Sequence, residues 1–308
     1  MKSTAMNRPQ SVPSRIQGSS MPSWLPVAAL LGAVTLWGAS FTAMRVAVAE
    51  LLPMSVMWLR MLIALAVILP FAKKINLRAY RKGDWKALIP MVLFQPCLYF
   101  LLESNALRFT TSSQAGVISA AVPLLVAVGA WLALSERISS LAIAGLLLSV
   151  AGVAGLSLYG AEDARAVNPL LGNGLELGAM ACAAANIILV KRLSGRYNPW
   201  LMTAMQVAAG VIFFSPGAIP LFQGGFSAIT LPLLAILVFL GACVTFGAFG
   251  LYNWAMCHIP ASRAAVFINL VPVFAIILGW ILLNERLSPL QMLSAACVFL
   301  GVWLARRS

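Results

Sequence analysis

The chain has 308 residues, 61% of them hydrophobic and 9% charged, with a net charge of +13 and a mean hydropathy of +0.94. A soluble domain carries about 25% charged residues, so this chain lacks the polar surface that water demands and reads as an all-α polytopic membrane protein. Its basic residues fall in short bursts between apolar runs rather than along one face, which argues against a nucleic-acid partner and for the lipid bilayer.

Residues 1–23 are polar and basic, with Lys2, Arg8 and Arg15, and read as a disordered cytoplasmic tail. Trp24 then opens an apolar run too long for the core of a signal peptide, so the first helix is expected to stay uncleaved. A bilayer takes about 20 apolar residues per helix. Pro, Gly and charge clusters cut the chain into ten such stretches, predicted over 25–48, 53–71, 85–107, 112–134, 139–159, 170–192, 198–221, 229–256, 261–283 and 288–305.

The second half echoes the first. Ala106, Val122-Pro123, Trp131, Glu136-Arg137, Ser139, Leu141 and Gly152 recur at constant spacing as Ala255, Val271-Pro272, Trp280, Glu285-Arg286, Ser288, Leu290 and Gly301. Gly32 and Pro53 recur as Gly178 and Pro199. A long-period echo in an apolar chain points to a duplicated transporter whose solute path lies between related halves. The expected domains are therefore 24–160 and 161–308.

Five helices per copy is an odd number, so the second copy must enter the membrane from the opposite side. The connection after the second stretch carries Lys73, Lys74, Arg78, Arg81, Lys82 and Lys86, whereas its counterpart, 222–228, has no Lys or Arg. Conversely Lys191, Arg192 and Arg196 follow the sixth stretch, where 49–52 carries only Glu50. Equivalent loops that exchange charge are what the positive-inside rule expects of inverted repeats, with both termini in the cytoplasm.

At this point the residues resemble the drug/metabolite transporter superfamily, specifically its EamA-type ten-helix exporters. The matching elements are Leu36-Trp37-Gly38-Ala39-Ser40-Phe41, Trp58-Leu59-Arg60, the run from Ala115 through Pro123-Leu124 to Glu136-Arg137, and its copy from Ala264 through Pro272 to Asn284-Glu285-Arg286. The resemblance runs from Trp24 to Arg307. It implies a pseudo-two-fold bundle around a central cavity in a bacterial inner membrane, exporting small metabolites, most often amino acids and in some members aromatic ones. The copies depart where Trp37, Ser40 and Arg60 align with Ala183, Asn186 and Gln206, which puts a strictly symmetric site in doubt.

A carrier must replace the hydrogen bonds a solute leaves behind in water, so polar groups inside the spans are the candidate lining. They are Trp37, Ser40, Gln95, Tyr99, Ser119, Asn186, Gln206, Tyr252, Asn253 and Asn269, with Thr245 beside them. Ser, Thr, Asn and Gln also serve as glue between helices, and either role is open for each residue. Pro96, Pro123 and Pro272 break backbone hydrogen bonds inside spans and are candidate hinges or static kinks. Arg60 is the cation well inside a span, with Glu103 and Glu176 as possible structural partners. The pairs Glu136-Arg137 and Glu285-Arg286 are expected to form helix-end salt bridges or caps. Gly145, Ser149, Gly152 and Gly155 facing Ser294, Gly301 and Ala305 suggest close contact between the fifth and tenth helices, or a homodimer face. Whether the protein is a monomer or a homodimer stays open.

Cys97, Cys182, Cys243, Cys257 and Cys297 lie in apolar runs without a CxxC pair, and His258 is the sole histidine, so no metal or other cofactor is expected. No nucleophile-base pairing, HExxH or GxxxxGK[ST] motif occurs. Catalysis and ATP-driven transport by this chain are therefore not expected. What remains is a secondary carrier for neutral or zwitterionic solutes, with a broad efflux carrier for hydrophobic or cationic compounds as the alternative. Facilitated export is preferred over antiport coupled through Glu103 or Glu176, because no Asp or Glu falls at mid-depth.

Overall fold

A computed structural model describes residues 24–70, 80–134, 140–159, 167–194, 196–256 and 267–306. The tail 1–23, Lys73, Lys74, Arg78, Glu136-Arg137, Cys257, His258, Arg263 and Arg307 lie outside the described residues. The chain is all helical among the described residues, a polytopic membrane fold.

We number the helical stretches α1 (Trp24–Glu50), α2 (Pro53–Ile68), α3 (Trp85–Phe109), α4 (Ser112–Ser119 and Val122–Leu134), α5 (Ser140–Leu158), α6 (Pro169–Ser194), α7 (Pro199–Phe213), α8 (231–256), α9 (Val271–Leu283) and α10 (Pro289–Arg306). Four helices, Trp24–Glu50, Trp85–Phe109, Pro169–Val190 and Leu231–Tyr252, are long and apolar enough alone to cross a bilayer. Trp200–Phe213 with Ser215–Phe222 forms a fifth if that pair, bent by 51°, is one span. The seventh predicted stretch, expected to run straight to 221, is thus two pieces. Pro216, set at the start of the 3-10 turn Ser215–Gly217, cannot donate to continue the helix.

Helix starts follow local chemistry. Pro53 and Pro199, the repeat mates, each open a helix, where the missing N–H costs nothing. Thr111, Asn198 and Thr230 cap α4, α7 and α8 by accepting from Gln114, Trp200 and Leu233 backbone N–H groups. Ser288 and Gln291 bond reciprocally, side chain to backbone, in a capping box at the start of α10.

The helices pack in antiparallel pairs. Gly172 lies against Ala106 and Thr110, Gly178 against Leu102, and Asn186 bonds Gln95, so α6 runs opposite to α3. Gly116 abuts Ala275 while Gly279 abuts Ser113, which sets α4 against α9 in the same sense. Gly152 faces Ser294 and Val298, and Gly301 faces Gly145 and Ser149, so α5 and α10 pack along their small-residue faces within one chain. Outward faces stay apolar: Leu231, Phe222 and Ile212 are 79%, 75% and 74% exposed. Such a surface suits lipid rather than water.

Candidate functional site

Two irregular turns make the centre of the bundle. Pro96 has no N–H to give α3, and Gln95 beside it leaves the helix altogether, with φ −144° and ψ 121°. The Gln95 carbonyl, freed from the helical ladder, accepts from Gln206 Nε2 at 3.0 Å. The side chains close the figure: Asn186 Nδ2 donates to Gln95 Oε1 at 2.8 Å and Gln206 Nε2 to Asn186 Oδ1 at 3.1 Å. Three amides from α3, α6 and α7 therefore satisfy one another around the break.

Opposite, α8 widens over Phe239–Ala248 into a π-type turn. Thr245 there donates to the Leu240 carbonyl at 2.9 Å and accepts from Arg60 Nε at 2.8 Å. The Arg60 guanidinium lies 4.3 Å from the centroid of the Phe100 ring. A buried cation is thus held by a hydroxyl and an aromatic face, with Glu103 in electrostatic reach rather than in direct contact.

Between these turns lies a narrow cleft with only about 20 Å³ of free space, lined by Met61 from α2, Gln95, Pro96 and Phe100 from α3, Thr203, Gln206 and Val207 from α7, and Thr245 and Phe249 from α8. Among the described residues, no charged side chain lines it. That space is far below the ~300–1,000 Å³ of drug-sized sites, so a substrate must part the helices to enter.

Among the residues expected from sequence, Gln95, Gln206 and Pro96 line the cleft and Asn186 bonds two of them. Trp37 stacks near Phe249 and Tyr252, with centroids 5.5 and 5.1 Å away, and so borders the lining through Phe249. Two serines do not line the cleft. Ser40 donates back to the Trp37 carbonyl at 2.7 Å and Ser119 to Gly116 at 2.6 Å, each serving its own helix. Tyr99 donates to Glu103 Oε1 at 2.6 Å. The Asn269 amide oxygen is buried without a partner in the turn before α9. The side chain of Asn253 lies outside what is described. Pro123 and Pro272 both stand at the second residue of a helical piece that follows a break, rather than inside a continuous helix.

Sequence reasoning missed Met61, Phe100, Thr203, Val207 and Phe249. Thr203 lies one turn from Gln206 and Phe249 one turn from Tyr252, a spacing that was a usable signal. Glu103 and Glu176 are more enclosed than their places along the helices suggest. They stand about 9 and 10 Å along their helices from the ends at 1.5 Å per residue. Laterally, however, they are enclosed, 4% and 0% exposed, because α3 and α6 pack on them.

The Glu285 motif proves to be a cap, though of another helix. Asn284 turns the chain at φ 51°, and the N–H groups of Asn284 and Glu285 both return to the Gly279 carbonyl, closing α9 on a left-handed residue. The carboxylate then accepts from the backbone N–H and the hydroxyl of both Ser112 and Ser113, at 2.7–3.0 Å, at the start of α4. Arg45 Nε of α1 stands 3.6 Å away.

At the other end of the bundle, Tyr197 donates to Asp84 Oδ2 at 2.6 Å and Arg196 to Oδ1 at 2.7 Å. The Tyr197 hydroxyl, helped by the Arg81 N–H and by Arg196, holds the Asp84 carboxyl below its usual range.

Residues 24–158 and 170–307 each match the profile of the EamA-like transporter family. The chain belongs to that family. It is 29% identical over 295 residues to an uncharacterized transporter of Archaeoglobus fulgidus, covering 93% of this chain and 99% of the relative. It is 26% identical to the uncharacterized transporter YetK of Bacillus subtilis, where the match spans 69% of this chain and 63% of YetK. A solved crystal structure at 18% identity superposes with a TM-score of 0.59 over 91% of this chain and 95% of that one, a likeness of fold. The EamA-family chain is thus a membrane transport protein.

Proposed function

We propose that this EamA-family protein is a secondary transporter that exports small neutral or zwitterionic metabolites, amino acids first among them. Two halves, 24–160 and 161–308, inverted across a bacterial inner membrane with both termini in the cytoplasm, would rock about the cleft in ten spans. The observation that carries this reading is the lining: amides of Gln95 and Gln206, a hydroxyl at Thr245 and aromatic faces at Phe100 and Phe249, without a fixed charge on the surface. The nearest charge, Arg60, stands behind Thr245 and Phe100 and is already held by them, whereas a zwitterion's groups can be taken up by amides that now bond one another. The breaks at Pro96, Pro123 and Pro272 stand where the helices would bend. Supporting the reading are the antiparallel helix pairs and relatives described as transporters.

The test is counterflow in proteoliposomes with a panel of labelled neutral amino acids. Saturable exchange supports the reading, and movement of strongly anionic metabolites with none of the amino acids overturns it. The aromatic group of Trp37, Phe249 and Tyr252 favours hydrophobic cations as a second reading, which competition by quaternary amines in the same assay would reveal.

A further inference from the structure

Among the described residues, the interior holds a charged cluster on α2, α3 and α6 that does not line the cleft. Glu176 of α6 is fully buried, and both of its carboxyl oxygens lack a hydrogen-bond partner. Its electrostatic neighbour across the α3–α6 contact is Glu103, which accepts from Tyr99. Arg60 of α2 is in reach of Glu103 and balances one negative charge. Two carboxyls against one cation leave a surplus of one. An ionised carboxylate without partners in such surroundings faces a penalty of several kcal/mol, which a bound proton removes. From the geometry we propose that Glu176, with Glu103, is a proton-binding site that couples transport to proton movement.

Polar residues lead to the site from both directions. On α6, Asn173 lies one turn before Glu176, fully buried, accepting from Thr110 Oγ1 at 2.6 Å and donating to Gln114 Oε1 at 2.9 Å. That cluster adjoins Ser112, Ser113, Glu285 and Arg45 at the end of the bundle. In the other direction, Tyr99 lies one turn from Gln95, which lines the cleft. Arg60 joins the carboxyl pair to the same cleft through Thr245 and Phe100. The other charged residues on the helices packed against Glu176 sit far from it along the chain: Arg108 is exposed at the end of α3, Lys86 lies at its start, positions 191 and 192 close the far end of α6, and the described parts of α4 and α5 carry none. No third carboxylate, thiolate or imidazole joins the pair into a metal-holding group among the described residues, so a proton suits the site better than a metal cation. In the cycle, the Glu176 carboxylate takes a proton from water on one side of the membrane, and the carboxylic acid releases it to water on the other. Substrate crosses in the opposite sense.

This proposal rests on the transport reading, and two measurements keep the failures apart. The first needs no substrate: the full-length protein is treated with dicyclohexylcarbodiimide, which modifies protonated carboxyls in apolar surroundings, and mapped by mass spectrometry. Modification at Glu176 that declines as pH rises and vanishes in Glu176→Gln is expected. Absence of modification at any pH overturns the proposal. The second uses proteoliposomes and the labelled amino acid that shows counterflow. A gradient of about one pH unit should support about tenfold accumulation for one coupled proton. Glu176→Gln should lose that accumulation while gradient-free exchange remains measurable. Gradient-independent flux in the wild type, a response to sodium instead, or retained accumulation in Glu176→Gln refutes it. If no amino acid moves, the substrate reading fails and the carbodiimide result alone decides the proton site.

Discussion

Replacing Glu285 is the sharpest test of how the two halves are tied. The carboxylate is 6% exposed and receives four hydrogen bonds from Ser112 and Ser113. In Glu285→Ala the two hydroxyls can turn to other acceptors, but the two backbone N–H groups in the first turn of α4 cannot. Each orphaned buried donor costs about 1–3 kcal/mol, giving roughly 2–6 kcal/mol before relaxation. Arg45 keeps the carbonyls of Leu107 and Thr110 as acceptors, so its loss adds less than an unpaired charge would. We expect about 3–5 kcal/mol for Glu285→Ala, the range for breaking a buried pair. For Glu285→Gln we expect about 1.5–3 kcal/mol, because one amide oxygen still accepts while the charge is gone. Unfolding in detergent, followed by tryptophan fluorescence against denaturant, reads both. The reasoning is refuted if Glu285→Gln matches the wild type. It also fails if a double-mutant cycle with Ser112→Ala and Ser113→Ala gives a coupling below ~0.5 kcal/mol, the level expected of independent sites.

Gly279→Ala should act on the same knot, since its methyl would stand 2.5 Å from Ser113 Oγ and 2.6 Å from Glu285 Oε2; a loss of about 1–3 kcal/mol in the same unfolding assay is expected. Gly301→Val should prise α10 from α5, because even a methyl there overlaps the Gly145 carbonyl and Ser149; the same assay should show a loss of at least about 1–3 kcal/mol. Gln206→Leu strips donors from both the Gln95 carbonyl and Asn186, so amino-acid counterflow should fall at least about tenfold, read beside unfolding to separate site from fold. Asp84 gives a pH signature. Its carboxyl is depressed in the folded protein, so its contribution is complete above the unfolded value near 3.8 and is lost as pH falls through the lower folded value. The stability gap between wild type and Asp84→Asn should therefore be constant near neutrality and close only below about pH 4.

The helical framework was legible because hydropathy and punctuation act along the chain. Pro53, Pro199 and the small residues of α5 and α10 do in the structure what their spacing announced. The cleft was half legible. Gln95 and Gln206 stood out as amides inside apolar runs, and Thr203 and Phe249 could be reached from Gln206 and Tyr252 by helical spacing, but Met61 carries no such mark and only the packing of α2 selects it. Ser40 and Ser119 donate within their own helices and stand outside the lining, because a hydroxyl can satisfy its own helix, a choice that sequence does not encode. The cap at Glu285 was foreseen as a repeated device, but its recipient, in the other half of the chain, was not.

The burial of Glu103 and Glu176 has a single physical origin, which bears on mechanism. Sequence gives distance along a helix, and by that measure both residues are well short of mid-membrane. Solvation is decided laterally, by what packs beside the group. The antiparallel register that brings Gly172 against Thr110, Gly178 against Leu102 and Asn186 against Gln95 also sets Glu176 opposite Glu103. The contacts that form the amide triad at the cleft therefore also bury the carboxyl pair, on the same two helices. Any movement that slides α6 past α3 to open the cleft must change the surroundings of Glu176 as well. A rigid coupling of that kind would tie the proposed solute path and the proposed proton site into one conformational equilibrium.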